Sequence, residues 1–256
     1  MRPASNSGKK TLHKASISKP LLKALTEVGI GSRRRLADAI RQGRVQVNGQ
    51  VVGGFSYPLN VGIDRVQLDG KLVDIKPEPL IYLIMNKPKD VLSTTSDERG
   101  RRTVAGMLPE KYRRFRLYPV GRLDKDSTGI ILLTNDGELT NKLTHPRYEH
   151  EKEYLVQINS SIKPDERKKL EKGLHLEDGL TYPAVVRGVN DCPPFNYRIT
   201  IHEGRKRQVR RMFQSLGYHV QALKRVRIGS LTLGKLEEGE IRELDARERR
   251  ELLANK

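Results

Sequence analysis

The chain has a single cysteine, Cys192, and no tryptophan among its 256 residues. One cysteine cannot close a disulfide within its own chain, which fits a reducing cytoplasm. No Cys and His cluster has metal-ligand spacing, and no glycine-rich phosphate loop occurs. Any chemistry is therefore expected from side chains, with no metal and no cofactor. Long apolar runs are missing too. None approaches the ~18 residues of a membrane span, and the N-terminus lacks the apolar segment of a secretory signal. A membrane partner is not expected. Acidic residues are in short supply: 31 Asp and Glu face 49 Lys and Arg, a net charge of +18. Such an imbalance points to a polyanionic partner. Hydrophobic content of 36% is low, yet enough for one large domain or two unequal ones.

The positive charge is uneven. Residues 1–60 hold eleven Lys and Arg against Glu27 and Asp38, a net +9. Residues 1–16, with no acid, read as a disordered basic arm. Leu21, Leu22, Leu25 and Val28 predict a helix from about Lys19 to Val28. Ser32 is an expected N-cap for a second helix, Arg33 to about Gln42, with Leu36, Ala37 and Ile40 inward. Asn48-Gly49 and Asp69-Gly70 predict two tight hairpins, Val45 to Val52 and Arg65 to Ile75. Arg33, Arg34 and Arg35 at a helix N-terminus oppose the helix dipole, so they, with Arg41 and Arg44, suggest a phosphate partner. A solvated helix face is the plainer alternative. Lys76-Pro-Glu-Pro79 reads as a linker.

Leu80 to Met85, Ile130 to Leu133, Lys152 to Ile158 and Asn196 to His202 read as strands; Glu138 to Thr144 and Lys163 to Lys172 read as helices. Residues 93–103, with Arg99, Arg101 and Arg102, read as a basic surface loop. Residues 203–227 form a second basic centre of eight Lys and Arg against Glu203. In it, Val209, Met212, Phe213 and Leu216 mark an amphipathic helix. A charged, helical tail is expected from residue 246. Ahead of the Ile130 strand lies the polar loop of Gly121-Arg-Leu-Asp-Lys-Asp-Ser-Thr-Gly129. Its carboxylates, Asp124 and Asp126, are either turn residues bonding their own backbone or groups held for chemistry against a buried strand.

The Gly121-Arg-Leu-Asp124 stretch resembles the signature of the pseudouridine synthases, in the branch that modifies single sites of bacterial ribosomal RNA. Asn86-Lys-Pro88, Lys152-Glu-Tyr154 and Glu203-Gly-Arg-Lys-Arg-Gln-Val-Arg-Arg211 resemble the same family. Gly31-Ser-Arg-Arg and Ile40-Arg-Gln-Gly-Arg-Val-Gln-Val-Asn-Gly49 resemble a small α-L RNA-binding domain found in a ribosomal protein. The resemblance implies an α+β chain. A helix-and-hairpin RNA-binding domain over 17–76 and a linker over 77–79 precede the catalytic domain of 80–245. That domain has a mixed, mostly antiparallel sheet flanked by helices, and a tail follows over 246–256.

The resemblance also implies roles. Asp124 is the expected nucleophile, Arg210 the cation paired with it, and Tyr154 the stacking face for a flipped-out base. Leu123 and Val209 are expected apolar walls. Arg122, Arg205, Arg207 and Arg211 join Arg33, Arg34, Arg35, Arg41 and Arg44 as expected RNA contacts. The implied reaction turns uridine into pseudouridine by breaking N1–C1′ and rejoining the base through C5. It is an isomerisation without cofactor. Attack by Asp124 on C1′, attack on C6, and a glycal route all stay open. The expected partner is ribosomal RNA, free or in a subunit precursor, bound by a monomer. Large-subunit RNA is favoured over small-subunit RNA. A non-catalytic ribosome-assembly factor would need the basic surfaces without Asp124, Tyr154 and Arg210 together. A nucleoside glycosidase would need a second catalytic carboxylate.

Overall fold

A computed structural model describes residues 17–254; the basic arm expected over 1–16 lies outside them. The chain divides into two units between Glu78 and Pro79.

The first unit runs β1 (Ile17–Pro20), α1 (Leu21–Glu27), α2 (Arg33–Arg41), β2 (Val45–Val47), β3 (Gln50–Val51), β4 (Pro58–Val61), β5 (Val66–Leu68) and β6 (Lys71–Val73). A four-stranded sheet in the order β3-β2-β5-β6 carries both expected hairpins. Their turns, Asn48-Gly49 and Asp69-Gly70, have positive φ at both residues, as such two-residue turns require. The Ser32 hydroxyl accepts the Arg35 N–H at 3.1 Å and caps α2. Leu21, Leu25, Leu36, Ile40, Val45 and Leu59 are all buried in one core. The first helix starts two residues later than its apolar spacing predicts. Lys19 and Pro20 instead pair with Leu59 and Pro58 as an antiparallel ladder.

The second unit contains β7 (Tyr82–Lys87), α3 (Glu110–Arg113), β8 (Tyr118–Val120), β9 (Thr128–Thr134), α4 (Gly137–Thr144), β10 (Lys152–Ile158), α5 (Pro164–Lys172), β11 (His175–Leu176), β12 (Gly179–Leu180), β13 (Val185–Gly188), β14 (Tyr197–Ile201), α6 (Gln208–Gln214), β15 (Val220–Ile228), β16 (Leu231–Thr232), β17 (Ile241–Glu243) and α7 (Ala246–Ala254). Nine strands form one mixed sheet along the path β13-β14-β10-β15-β9-β7-β17, with β8 on β9 and β16 on β15. All its pairings are antiparallel except β15 with β9. The expected α+β architecture is therefore present. Leu83, Met85, Ile131 and Leu133 enter one buried cluster; Tyr82, Ile84, Ile130 and Leu132 enter another. With both faces covered, β7 and β9 read as continuous apolar runs rather than alternating ones.

The parallel pair sets the position of the 121–129 loop. Gly129 has φ 106°, and a Cβ there would lie 2.1 Å from the Arg225 carbonyl oxygen. Only glycine allows the two backbones to approach so closely.

Two expectations need correction. The segment from 246 is helical as expected, forming α7, but it packs as well as being charged: its Leu252 is buried in the core with Tyr82 and Ile84. Residues 220–227, expected as part of a basic centre, lie in a central strand, β15. Arg225 is 3% exposed and donates its Nε–H to the Ile130 carbonyl at 2.9 Å. Sheet burial overrides the charge pattern there.

Candidate active site

The Asp124 loop spans residues 121–127 between β8 and β9, and neighbouring segments grip it at several points. Ser93 Oγ accepts the Leu123 N–H at 3.1 Å and donates to the Leu123 carbonyl at 2.9 Å. The Asp90 N–H reaches the Lys125 carbonyl at 2.8 Å. The Ser127 N–H closes a turn on the Asp124 carbonyl at 3.1 Å. Leu123 is buried in the same cluster as Tyr154 of β10 and Val209 of α6. The expected apolar walls and the expected stacking residue therefore share one core beside the loop. The Asp124 carboxylate itself is only half-buried.

The charges around it differ from expectation. Arg210 was expected to pair with Asp124. Its Nη2 instead lies 3.3 Å from the Asp126 carboxylate and donates to the Asp126 carbonyl at 3.1 Å, while its Nη1 donates to the Val220 carbonyl at 2.8 Å. Those backbone bonds aim the guanidinium at Asp126. Burial, acting first, pulls the Arg210 guanidinium below its ordinary range, and the charge of Asp126 opposes that. The ion-pair partner of Asp124 is Arg207, with Nη1 3.8 Å from its Oδ2. Arg207 also grips Asp126 with two nitrogens, at 3.1 and 3.2 Å. Arg207 sits in the left-handed region at φ 51°, at the N-cap of α6. Asp126 is thus more than a turn residue: its carboxylate bridges two arginines. Burial alone would raise its carboxyl, but the Arg207 hydrogen bond and the charges of Arg210 and Arg207 outweigh this and hold it below the usual carboxylate value.

Beneath the loop lies Lys87, in the Asn-Lys-Pro stretch but not among the expected site residues. It is fully buried, and its Nζ donates to the carbonyls of Pro88 and Val91 at 2.8 Å and reaches that of Lys125 at 3.5 Å. Burial pushes its ammonium down to about 8 against the pull of nearby carboxylates, Asp126 and Asp124 among them. Ser93 and Asp178 were also missed. Their partners lie about thirty residues away in sequence, beyond the reach of any local pattern.

The remaining expected RNA contacts fall into two groups. Arg205 is bound to Glu203 at 2.8 Å and to carbonyls of β12, and Arg211 grips Asp178 with both terminal nitrogens, at 3.0 and 2.8 Å. Arg41 pairs with Asp38 and Arg44 with Asp69. Arg33, Arg34, Arg35 and Arg122 are exposed and have no carboxylate partner among the described residues.

Comparison with known proteins shows what the chain is similar to. Residues 81–215 match the model of the RNA pseudouridylate synthase family, and residues 19–62 match that of the S4 domain. The chain is 39% identical over 240 residues to the ribosomal large subunit pseudouridine synthase B of Bacillus subtilis (strain 168), covering 91% of this chain and 95% of that protein. It is 39% identical over 237 residues to the protein of the same name from Vibrio cholerae serotype O1, covering 91% and 73%. A crystal structure of a pseudouridylate synthase aligns with a TM-score of 0.66 at 33% identity, over 92% of this chain and all of that one. With a matching catalytic unit, a matching fold and relatives that span nearly its whole length, the chain belongs to the RNA pseudouridylate synthase family and carries an S4 domain ahead of its catalytic unit.

Proposed function

We propose that this protein converts a uridine of large-subunit ribosomal RNA to pseudouridine, with Asp124 as its nucleophile. The observation that carries the reading is the loop itself. A half-buried carboxylate is gripped through Leu123, Lys125 and Ser127, with a guanidinium 3.8 Å away and a wall of Leu123, Tyr154 and Val209 alongside. Fixed placement of this kind is what nucleophilic catalysis needs. In the reaction the N1–C1′ bond breaks, the uracil turns, and a C5–C1′ bond forms; the proton lost from C5 is matched by one gained at N1. No electron is gained or lost. Asp124 attacks C1′ or C6 and that bond breaks again before product leaves, or the reaction runs through a glycal; Arg207 balances the charge of Asp124. Tyr154 supplies a face for the extruded base, and its hydroxyl makes no hydrogen bond among the described residues.

The relatives named for the large ribosomal subunit favour that RNA as substrate, and the net charge of +18 suits it. In this reading the protein works as a cytoplasmic monomer, on mature RNA or a subunit precursor. Residues 17–76 dock the RNA, 77–79 link, and 80–245 hold the chemistry. Mapping pseudouridines in ribosomal RNA from cells with and without the protein tests the substrate. One large-subunit site should disappear without it; an unaltered map, or a lost small-subunit site, would overturn the assignment. Asp124→Asn should lower turnover by at least ~10⁴-fold, the scale for an essential nucleophile.

A further inference from the structure

We propose that the face built by residues 99–116 is a separate RNA-backbone contact surface bordering the Asp124 loop. The proposal rests on RNA being the substrate of that loop. Residues 99–116 carry seven Lys and Arg against Glu110 alone. What distinguishes them is how little of that charge is neutralised. In the basic centre of 203–227, Arg205, Arg207, Arg210, Arg211 and Arg227 all pair with carboxylates of this chain. A guanidinium already bound in two places by a carboxylate has few donors left for a phosphate. Within 99–116 only Arg101 is so paired, with Asp97 at 2.6 Å. Arg99, Arg102, Arg113, Arg114 and Arg116 have no carboxylate partner among the described residues, and all but the half-buried Arg116 are exposed.

These side chains are held in place as well as charged. The Arg114 guanidinium lies over the Phe115 ring at 4.6 Å and that of Arg116 over the Tyr118 ring at 5.8 Å. Arg113 Nε donates to the Leu108 carbonyl at 3.2 Å. Stacking orders a guanidinium without cancelling its charge, so less freedom is lost when a phosphate binds. Arg113, Arg114 and Arg116 line an open depression of roughly 310 Å³ with Thr95 on its wall. Two residues before Thr95 is Ser93, whose hydroxyl brackets Leu123 beside Asp124. The Leu92 N–H bonds the Arg102 carbonyl at 2.9 Å, tying the Arg99–Arg102 segment to the same strip. An RNA strand with its target base at Asp124 therefore has this strip next along its path. Phosphodiester is the chemistry that fits: clustered, unpaired, pre-oriented arginines around an open hollow that Ala105, Leu108, Phe115 and Leu117 also line.

The test is binding to protein-free large-subunit ribosomal RNA as a function of salt, read without turnover. In Arg113→Gln/Arg114→Gln/Arg116→Gln, three lost phosphate contacts should flatten the log–log slope by roughly 2–3 and weaken binding roughly 100-fold at 0.1 M salt. The matching triple change to Lys should restore most of the slope. If the Gln variant does not fold, Arg114→Glu at its exposed position carries the test, with a flatter slope again expected. A folded variant with wild-type slope overturns the proposal, as does weaker binding at an unchanged slope. A flattened slope in a protein that modifies no uridine would overturn the proposed function and leave this surface standing; an unchanged slope in an active enzyme would do the reverse.

Discussion

Replacing Asp126 with asparagine would remove one negative charge from between two arginines while keeping the size of the side chain. Arg207 keeps at most one of its two short contacts, at 3.1 and 3.2 Å, now to a neutral oxygen, and Arg210 loses the carboxylate charge 3.3 Å away. A hydrogen bond to a charged group contributes ~1.5–3 kcal/mol. The Asp126 side chain is 39% exposed, so solvent screening places the loss near the low end, about 2 kcal/mol. For a unit of this size that lowers Tm by roughly 4–8 °C. The wild-type carboxyl is held below its usual 3.8, so its stabilisation is present above that value and is lost only as pH falls through the folded value. The variant should therefore show a weaker acid-side loss of stability. Turnover should fall by ~10- to 100-fold, because Arg207 no longer holds its place beside Asp124. The control is Asp124→Asn. Among the described residues its carboxylate has one ion pair to lose, the 3.8 Å contact, so melting should change by no more than about 2 °C while turnover vanishes. Thermal melts and single-turnover assays on both variants check the pair. A wild-type melt and full rate in Asp126→Asn would show that Asp126 positions nothing. An unchanged melt with no turnover at all would move the chemistry from Asp124 to Asp126.

Three further outcomes are expected. An unfolded lysine titrates near 10.5, whereas Lys87 does so at about 8 in the fold, so between those values the unfolded chain holds the extra proton. Stability should then rise with pH across that window, by up to ~3 kcal/mol from this one group, and that gain is lost as pH falls through about 8. Lys152, lowered by burial to about 8, adds to the rise; Lys87→Met should remove roughly half of it, and urea melts at pH 7.5 and 9.5 that still differ as in wild type would refute the argument. Gly129→Ala should fail to give folded protein, since its Cβ would meet backbone at 2.1 Å; a soluble variant with a native melt would contradict the close strand approach. Arg33→Gln/Arg34→Gln/Arg35→Gln, on exposed and unpaired positions, should flatten the salt slope of RNA binding by roughly 2–3, and an unchanged slope would mean this helix face meets only water.

Features confined to a few neighbouring residues were legible before any coordinate. Asn48-Gly49 and Asp69-Gly70 could form tight turns because they tolerate positive φ. Ser32 could cap α2 because its hydroxyl reaches an N–H three residues on. Val209, Met212 and Phe213 could only be one buried face of a helix. The loop of Asp124 stood out by its wording, before its surroundings were known. What tertiary structure alone decided is which charge meets which. Arg207 and Asp126 are 81 residues apart, and Arg210 reaches Asp126 from the same short helix. The register of β9 against β15 brings these elements together, at the point where Gly129 lets two backbones nearly touch. Local sequence encodes backbone angles and periodicity, so Arg205, Arg211 and Arg225 read as free surface charge. Folding brought Glu203, Asp178 and the Ile130 carbonyl to them. It left Arg113, Arg114 and Arg116 without such partners, because a cation is neutralised only where the fold delivers a carboxylate.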